Sequence, residues 1–468
     1  MNMMDPKNLK IAYIGGGSRG WAWKLMRDLA REQDICGTVA LYDIDRKAAQ
    51  DNAVIGNFLA GDHEGASPWR YEASDTLRDA LTGAQFIVIS ILPGTFKEMA
   101  SDVHTPEEYG VYQSVGDTTG PGGFVRAMRT IPMFEEIART VRDYAPEAWV
   151  INYTNPMAMC VGTLYRVFPE IKAFGCCHEV FGTQELLVRM TKEMLGVTDV
   201  KRGDIRVNVM GINHFTWLDS ANYKGVDLMP LYRQYAQKYI AAGAPTDDPE
   251  GLKTNVFRSC ERVKFDLFLR TGCIAAAGDR HLAEFCPADW YMKTPEMAES
   301  WGFHLTPVSW RWDDLKKRLA QSRIYLEYHA PEGIMDLGET GEEGVRQIKA
   351  IMGMGDLVTN VNLPNVGQIP NLPLGTIVET NACFTADSVR PVMAGALPAP
   401  VMELVARPAQ NQTDMVTAVL HRSHEEAFAV FSRDRLLDGM DMADKRALFD
   451  KMVSATKAYL PGDWDTAL

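Results

Sequence analysis

The chain has 468 residues, 46% of them hydrophobic and 23% charged, a balance typical of a soluble globular protein with two or three domains. Its 61 acidic against 48 basic residues give a net charge of −13 with no run of Lys or Arg, which argues against a nucleic-acid or anionic-membrane partner. No apolar run reaches the roughly 18 residues of a membrane span. The opening MNMMDPKNLKIAYIGGG runs directly into a strand pattern without a secretory layout, so a cytoplasmic protein whose eight cysteines are reduced thiols is expected.

In chain order, KIAYI (10–14) is a short apolar strand that runs into Gly15-Gly16-Gly17-Ser18-Arg19-Gly20. Gly15, Gly17 and Gly20 fit GxGxxG, and an amphipathic helix follows from Trp21 to Arg31. Glycines there allow a tight turn and close approach of a pyrophosphate to the helix N-terminus. The next strand, TVALYDID, carries Asp43, 23 residues after Gly20, where an acid binds the ribose hydroxyls of NAD. Arg46 nearby leaves NADP open.

QFIVISIL (85–92) reads as a buried parallel strand and Phe124 to Tyr144 as a helix. AWVINYTNP is a strand closing at Asn155-Pro156, Ala158 to Val167 a helix, and KAFGCC another strand. The alternation predicts an α/β fold whose first part, residues 1–203, is a Rossmann-type doubly wound parallel sheet with its site at the strand C-terminal ends. Residues 204–468 read as a larger α+β domain that contributes metal, substrate and oligomer contacts. It begins with extended segments around a Gly-Ile-Asn-His turn (205–223), followed by a polar surface loop at 244–251. Another extended region spans 355–380, and helices run from about 412.

Chemistry-bearing residues gather at these strand ends and loops. Cys176 and Cys177 could be buried small hydrophobes, or Cys177 could join His178 and His214 as ligands of a divalent cation, with Asn155 and Asn213 as polar neighbours. Strand alternation turns Cys176 away from Cys177. In AAAGDRHLAEF (275–285), Asp279 is a general base or a helix cap, Arg280 an anion clamp or an ion-pair partner of Glu284, and His281 a base or hydrogen-bond donor. Asp117, in SVGDTTGPGG, lines the cleft or shapes a turn, and Arg126 and Arg129 on the following helix are further clamp candidates.

The stretches KIAYIGGGS, ISILPG, YTNP, GCCHEVFGTQ, VMGINHFTW and NLPNVGQIPNLPLGTIVET together resemble glycoside hydrolase family 4, from residue 10 to about 400. INYTNP, GCCHEVFGTQ, GINHFTW and AAGDRHLAEF are most similar to the bacterial α-galacturonidases within it. The resemblance implies a lactate/malate dehydrogenase-like fold and a hydrolysis that uses NAD and Mn²⁺ in place of two carboxylates. In that scheme C3 of the sugar is oxidised, the C2 proton is removed, the glycosidic oxygen leaves from C1, water adds, and the hydride returns.

By motif, Cys177 and His214 correspond to the metal ligands, and Gly15, Gly16, Gly17, Ser18, Gly20 and Asp43 to the cofactor site. Asn155 corresponds to a contact with the substrate hydroxyls; Asp117, Asn213, Arg280 and His281 are further expected substrate contacts, with Arg280 the leading candidate for the carboxylate and His281 next. Asp279 is the expected C2 base, with His281 or a tyrosine as alternatives, and His178 touches the substrate or assists the leaving oxygen. Thiolate softness alone would favour zinc; manganese follows from the resemblance. The expected substrate is a galacturonide and the expected assembly a homodimer or homotetramer. An α-glucosidase or α-galactosidase, or a 2-hydroxy acid dehydrogenase that accumulates NADH, are the alternatives.

Overall fold

The structure is a computed structural model that describes residues 4–62, 67–246, 248–328, 340–462 and 464. Six parallel strands form its centre: β1 (Leu9–Ile14), β2 (Gly37–Tyr42), β3 (Arg70–Ala73), β4 (Phe86–Ile89), β5 (Trp149–Asn152) and β6 (Lys172–Gly175). They lie in the order β3-β2-β1-β4-β5-β6, so the winding reverses between β1 and β4. That reversal is the Rossmann-type switch point, where a crevice opens beyond the strand ends.

Period-2 alternation decides which face each side chain covers. Ile11 and Tyr13 pack with Trp23, Met26 and Leu29 of α1 (Trp21–Arg31). Ala12 and Ile14 face the other way, onto Phe134 and Ala138 of a later helix. The connecting helices are α2 (Arg46–Asp62), α3 (Leu77–Leu81), α4 (Phe96–His104), α5 (Gly120–Tyr144), α6 (Met157–Val167) and α7 (Glu179–Leu195).

Beyond α7, β7 (Ile205–Ile212) and β8 (Phe215–Tyr223) form a hairpin whose turn is Asn213-His214, with β9 (Val226–Asp227) and β10 (Ile274–Ala275) beside it. β11 (Leu357–Pro364), β12 (Ile377–Thr385) and β13 (Ser388–Pro391) then return to the first sheet, β11 pairing antiparallel with β6 through Asn362 and Gly175. Nine strands therefore form one sheet shared by both halves of the chain. The local elements of 355–380 follow the extended pattern of the sequence, but their pairing partner lies some 180 residues away, which no local pattern encodes.

Two segments differ from expectation. Pro249–Thr254, the end of the polar 244–251 stretch, is a short helix capped by Asp248, which accepts Gly251 N at 2.8 Å. The C-terminal helices begin at Ala399–Leu420, with Pro408 inside the helix, rather than at 412. Among the described residues no helix is long and apolar enough to cross a membrane.

Candidate active site

The glycine turn is held by its neighbours before any ligand arrives. Gly15 and Gly16 donate to Tyr42 O at 2.9 Å each, and Gly15 adopts φ 94°. A Cβ on Gly15 would overlap the Ser90 carbonyl, and one on Gly17 would lie 2.6 Å from Ala48 Cβ. Only glycine allows this approach and this backbone. Asn52 Nδ2 donates to Gly16 O at 2.7 Å and Ser18 O at 3.0 Å, and Trp23 Nε1 fixes the Asn52 amide at 2.9 Å. Asp43 follows β2 and accepts Gly17 N and Asp45 N at 2.9 Å each, so each carboxylate oxygen keeps acceptor capacity for a ribose hydroxyl. Arg46 pairs with Asp75 at the surface. Turn, acid and helix N-terminus thus fit a dinucleotide.

Past the strand ends, three chain segments bring Asp117, His214 and His281 together, with one ligand atom of each within 4.8 Å of the others. Asp117 comes from the loop before α5. His214 sits in the β7–β8 turn at φ 64°, a left-handed backbone unusual for a residue other than glycine. His281 lies in the first turn of the helix Asp279–Phe285. The His214 and His281 rings stand 3.9 Å apart, centre to centre. Thr118 Oγ1 lies 2.9 Å from His214 Nδ1 and 2.8 Å from Asp117 Oδ1.

The electrostatics suit a cation. Burial alone would raise the Asp117 carboxyl, but Arg126, His214 and His281 hold it at about 2. Burial, then the neighbouring His281, lowers His214 to about 3, and burial lowers His281 as well. At neutral pH the trio is therefore one carboxylate and two neutral imidazoles, the protonation state metal ligation requires. Glu179, at the start of α7, accepts Gly278 N at 2.7 Å, and its other oxygen lies 3.7 Å from His281 Nε2. Burial opposes its ionisation, yet His281, His178 and His214 bring it to about 2.

The other expected residues divide. Cys177 is half-buried and is not one of the trio; burial, then Glu379 and Glu179, pushes its thiol up. Cys176 is buried on the far side, its Sγ 3.0 Å from Gln347 Oε1. Asn213 Nδ2 donates to Glu379 at 3.2 Å, and Asn360 Nδ2 donates to Glu379 at 2.7 Å and to Cys177 O at 3.3 Å. Glu379 therefore ties the His214 turn to the Cys177 strand end. Asn155 Oδ1, Asn213 Oδ1 and His281 Nδ1 are buried without a protein partner, as groups awaiting a ligand would be. His178 is half-exposed at the start of α7, 5.9 Å from the Trp21 ring and 3.8 Å from Glu342.

Asp279 and Arg280 point elsewhere. Asp279 accepts Lys264 N at 3.1 Å, capping the helix Arg262–Thr271, and burial, then Glu261, raises its carboxyl to about 7. Arg280 donates to Ser114 O at 2.6 Å and His304 O at 3.2 Å and also bonds Thr306, which makes it a brace between loops. Arg129 is committed to Asp102 and Pro93.

Sequence reasoning gave no role to Glu179, Glu379 or Thr118. An acid inside the otherwise apolar TIVET strand was the available signal for Glu379, since buried acids need partners.

Models of the family 4 glycosyl hydrolases match residues 10–193, and models of their C-terminal domain match 209–437. An alpha-galacturonidase from Thermoanaerobacterium saccharolyticum is 56% identical over 97% of both chains. The crystal structure of Bacillus subtilis LplD superposes with TM-score 0.90 at 50% identity, covering 95% of this chain and all of that one. A 6-phospho-alpha-glucosidase from gut microorganisms, solved with NAD and Mn²⁺, shares the fold at TM-score 0.80 and 20% identity, over 97% and 99% of the two chains. With both halves matched and such identity across nearly the whole length, the chain belongs to the family 4 glycosyl hydrolases and is a glycosidase acting on O-glycosyl bonds.

Proposed function

We propose that this glycosidase releases galacturonic acid from α-galacturonides and works with NAD and a divalent cation, manganese by family. The observation that carries the substrate is the 56% identity to an alpha-galacturonidase over 97% of both chains. The glycine turn and Asp43 would hold the dinucleotide; Asp117 and His214 of the trio would hold the cation together with Cys177, the ligand the family resemblance implies, which leaves His281 free to act as a base. When bound, NAD supplies a hydride acceptor for C3, which acidifies C2, and the cation supplies Lewis acidity at the sugar oxygens.

The chain's own residues do the rest. Asn155 and Asn213 present buried, unpartnered amide oxygens to sugar hydroxyls. We assign the C2 proton to His281 rather than Asp279. Its imidazole is neutral at working pH, its Nδ1 is unpartnered, and Glu179, 3.7 Å from Nε2, stabilises the imidazolium that forms. Asp279 Oδ1 instead caps another helix at Lys264 N, and Asp279 is not part of the Asp117–His214–His281 cluster. His178, half-exposed at the α7 N-terminus, donates a proton to the departing glycosidic oxygen.

A panel of p-nitrophenyl α-glycosides, with NAD⁺, Mn²⁺ and reduced thiol, tests the reading. Turnover of the galacturonide with little net NADH is expected. Turnover of only the glucoside or galactoside would replace the substrate, and stoichiometric NADH would point to a dehydrogenase.

A further inference from the structure

The helix Val308–Tyr328 packs on α4 and α2. At its start Val308 N donates to His104 Nε2 at 3.2 Å, and further along Arg318 Nη1 occupies the space that a Cβ on Gly20 would need. Arg311 and Arg318 are seven residues apart, hence on one face and about 10.5 Å apart along the axis. Arg318 is paired with Asp314 at 2.7 Å over the glycine turn.

Arg311 has no such partner. Its guanidinium lies 4.7 Å from the Phe257 ring, which also carries Arg280 at 5.0 Å, and among the described residues no hydrogen bond or ion pair reaches it. The nearby groups are already engaged. Arg280 is spent on Ser114 O, His304 O and Thr306, Glu284 accepts Val115 N and Gly116 N at 2.6 and 2.8 Å, and Arg126 Nε holds Asn155 O at 3.2 Å. Arg311 shares the Phe257 ring with Arg280, and Arg280 holds Ser114 O, three residues before Asp117, so this cation stands on the Asp117 side of the site. A half-buried guanidinium next to a second one, without an anion, is costly unless a ligand supplies the charge. The cation–π contact with Phe257 engages the face of the guanidinium, and its unspent N–H donors suit a bidentate carboxylate.

Given the α-galacturonidase reading, on which this rests, we infer that Arg311 binds the substrate's carboxylate and sets the preference for an acid sugar over its neutral analogue. The test compares kcat/KM on p-nitrophenyl α-galacturonide and on its methyl ester, in the NAD- and Mn²⁺-loaded enzyme. In the wild type the acid is preferred. In Arg311→Met that preference should fall about 10- to 150-fold, the equivalent of ~1.5–3 kcal/mol for a hydrogen-bonded charge. Because both substrates are measured on one preparation, partial misfolding cancels. Arg311→Lys keeps the stem and charge but loses the fork, and should fall in between; it carries the test if the Met variant does not fold. A preference unchanged within about twofold in the folded variants overturns the role of Arg311 and leaves the substrate reading intact. A wild type that does not cleave the galacturonide overturns both.

Discussion

Arg129 and Asp102 offer the sharpest stability prediction, because both are fully buried and the geometry is bidentate. Arg129 Nη1 and Nη2 donate to the two Asp102 oxygens at 3.0 and 2.5 Å, and Nε donates to Pro93 O at 2.9 Å. The pair binds α5 to α4 and to the loop after β4, which forms one wall of the cofactor crevice. Burial already raises the Asp102 carboxyl, opposed by Arg129. Arg129→Met leaves a buried carboxylate without its cation, a loss of about 3–5 kcal/mol. The orphaned Pro93 carbonyl adds about 1–3 kcal/mol. Against a typical margin of about 5–15 kcal/mol, that removes a large share of the stability. Urea unfolding should show the midpoint moving down by the equivalent of at least ~4 kcal/mol. The double variant Arg129→Met/Asp102→Leu should recover much of that, since the unpaired charge is gone. A single-variant loss below about 1 kcal/mol would refute the buried-pair argument.

Gly15→Ala forces a side chain into φ 94° and against the Ser90 carbonyl, so NAD affinity measured by fluorescence titration should weaken at least about tenfold. His214→Ala and Cys177→Ser should abolish both turnover and high-affinity Mn²⁺ binding, read by electron paramagnetic resonance. His281→Ala should lose turnover but keep the ion, and Cys176→Ser should be mild because a hydroxyl can still reach Gln347. Glu284 is raised to about 8, chiefly by burial, so the folded state holds its proton more tightly than the unfolded one. Its stabilising contribution is complete below about pH 4.5 and is lost as pH rises through 8. Glu284→Gln should therefore flatten the decline of Tm between about pH 5 and 8, and an unchanged slope would count against it.

The parallel sheet was legible because each of its strands is a short apolar run followed by a helix. The glycine turn was legible because only glycines satisfy its backbone. The site was legible where residues cluster in sequence, as in GCCHEV and GDRHLAEF, but clustering did not give direction. Asp279 and His281 are two residues apart on a short helix, which turns the first toward Lys264 and the second toward His214. Arg280 looked like a clamp because it sits between them, yet its donors serve loop carbonyls. Arg311 and Arg318 lie in WRWDDLKKRLAQ, a charged helix whose sequence pattern does not reveal that it packs on α4 and α2 and brings Arg318 against Gly20. Likewise Glu379 meets Asn213 only because β11 and β12 join the first sheet beside β6.

The central claim is that this glycosidase breaks its bond by removing the C2 proton of a galacturonide rather than by attack at C1. It is tested most directly by hydrolysis of an α-galacturonide in D₂O with NAD⁺ and Mn²⁺, followed by NMR of the galacturonic acid released. Deuterium at C2 of the product is predicted, since the proton taken by the base is replaced from solvent. Full turnover with protium retained at C2 would contradict the account.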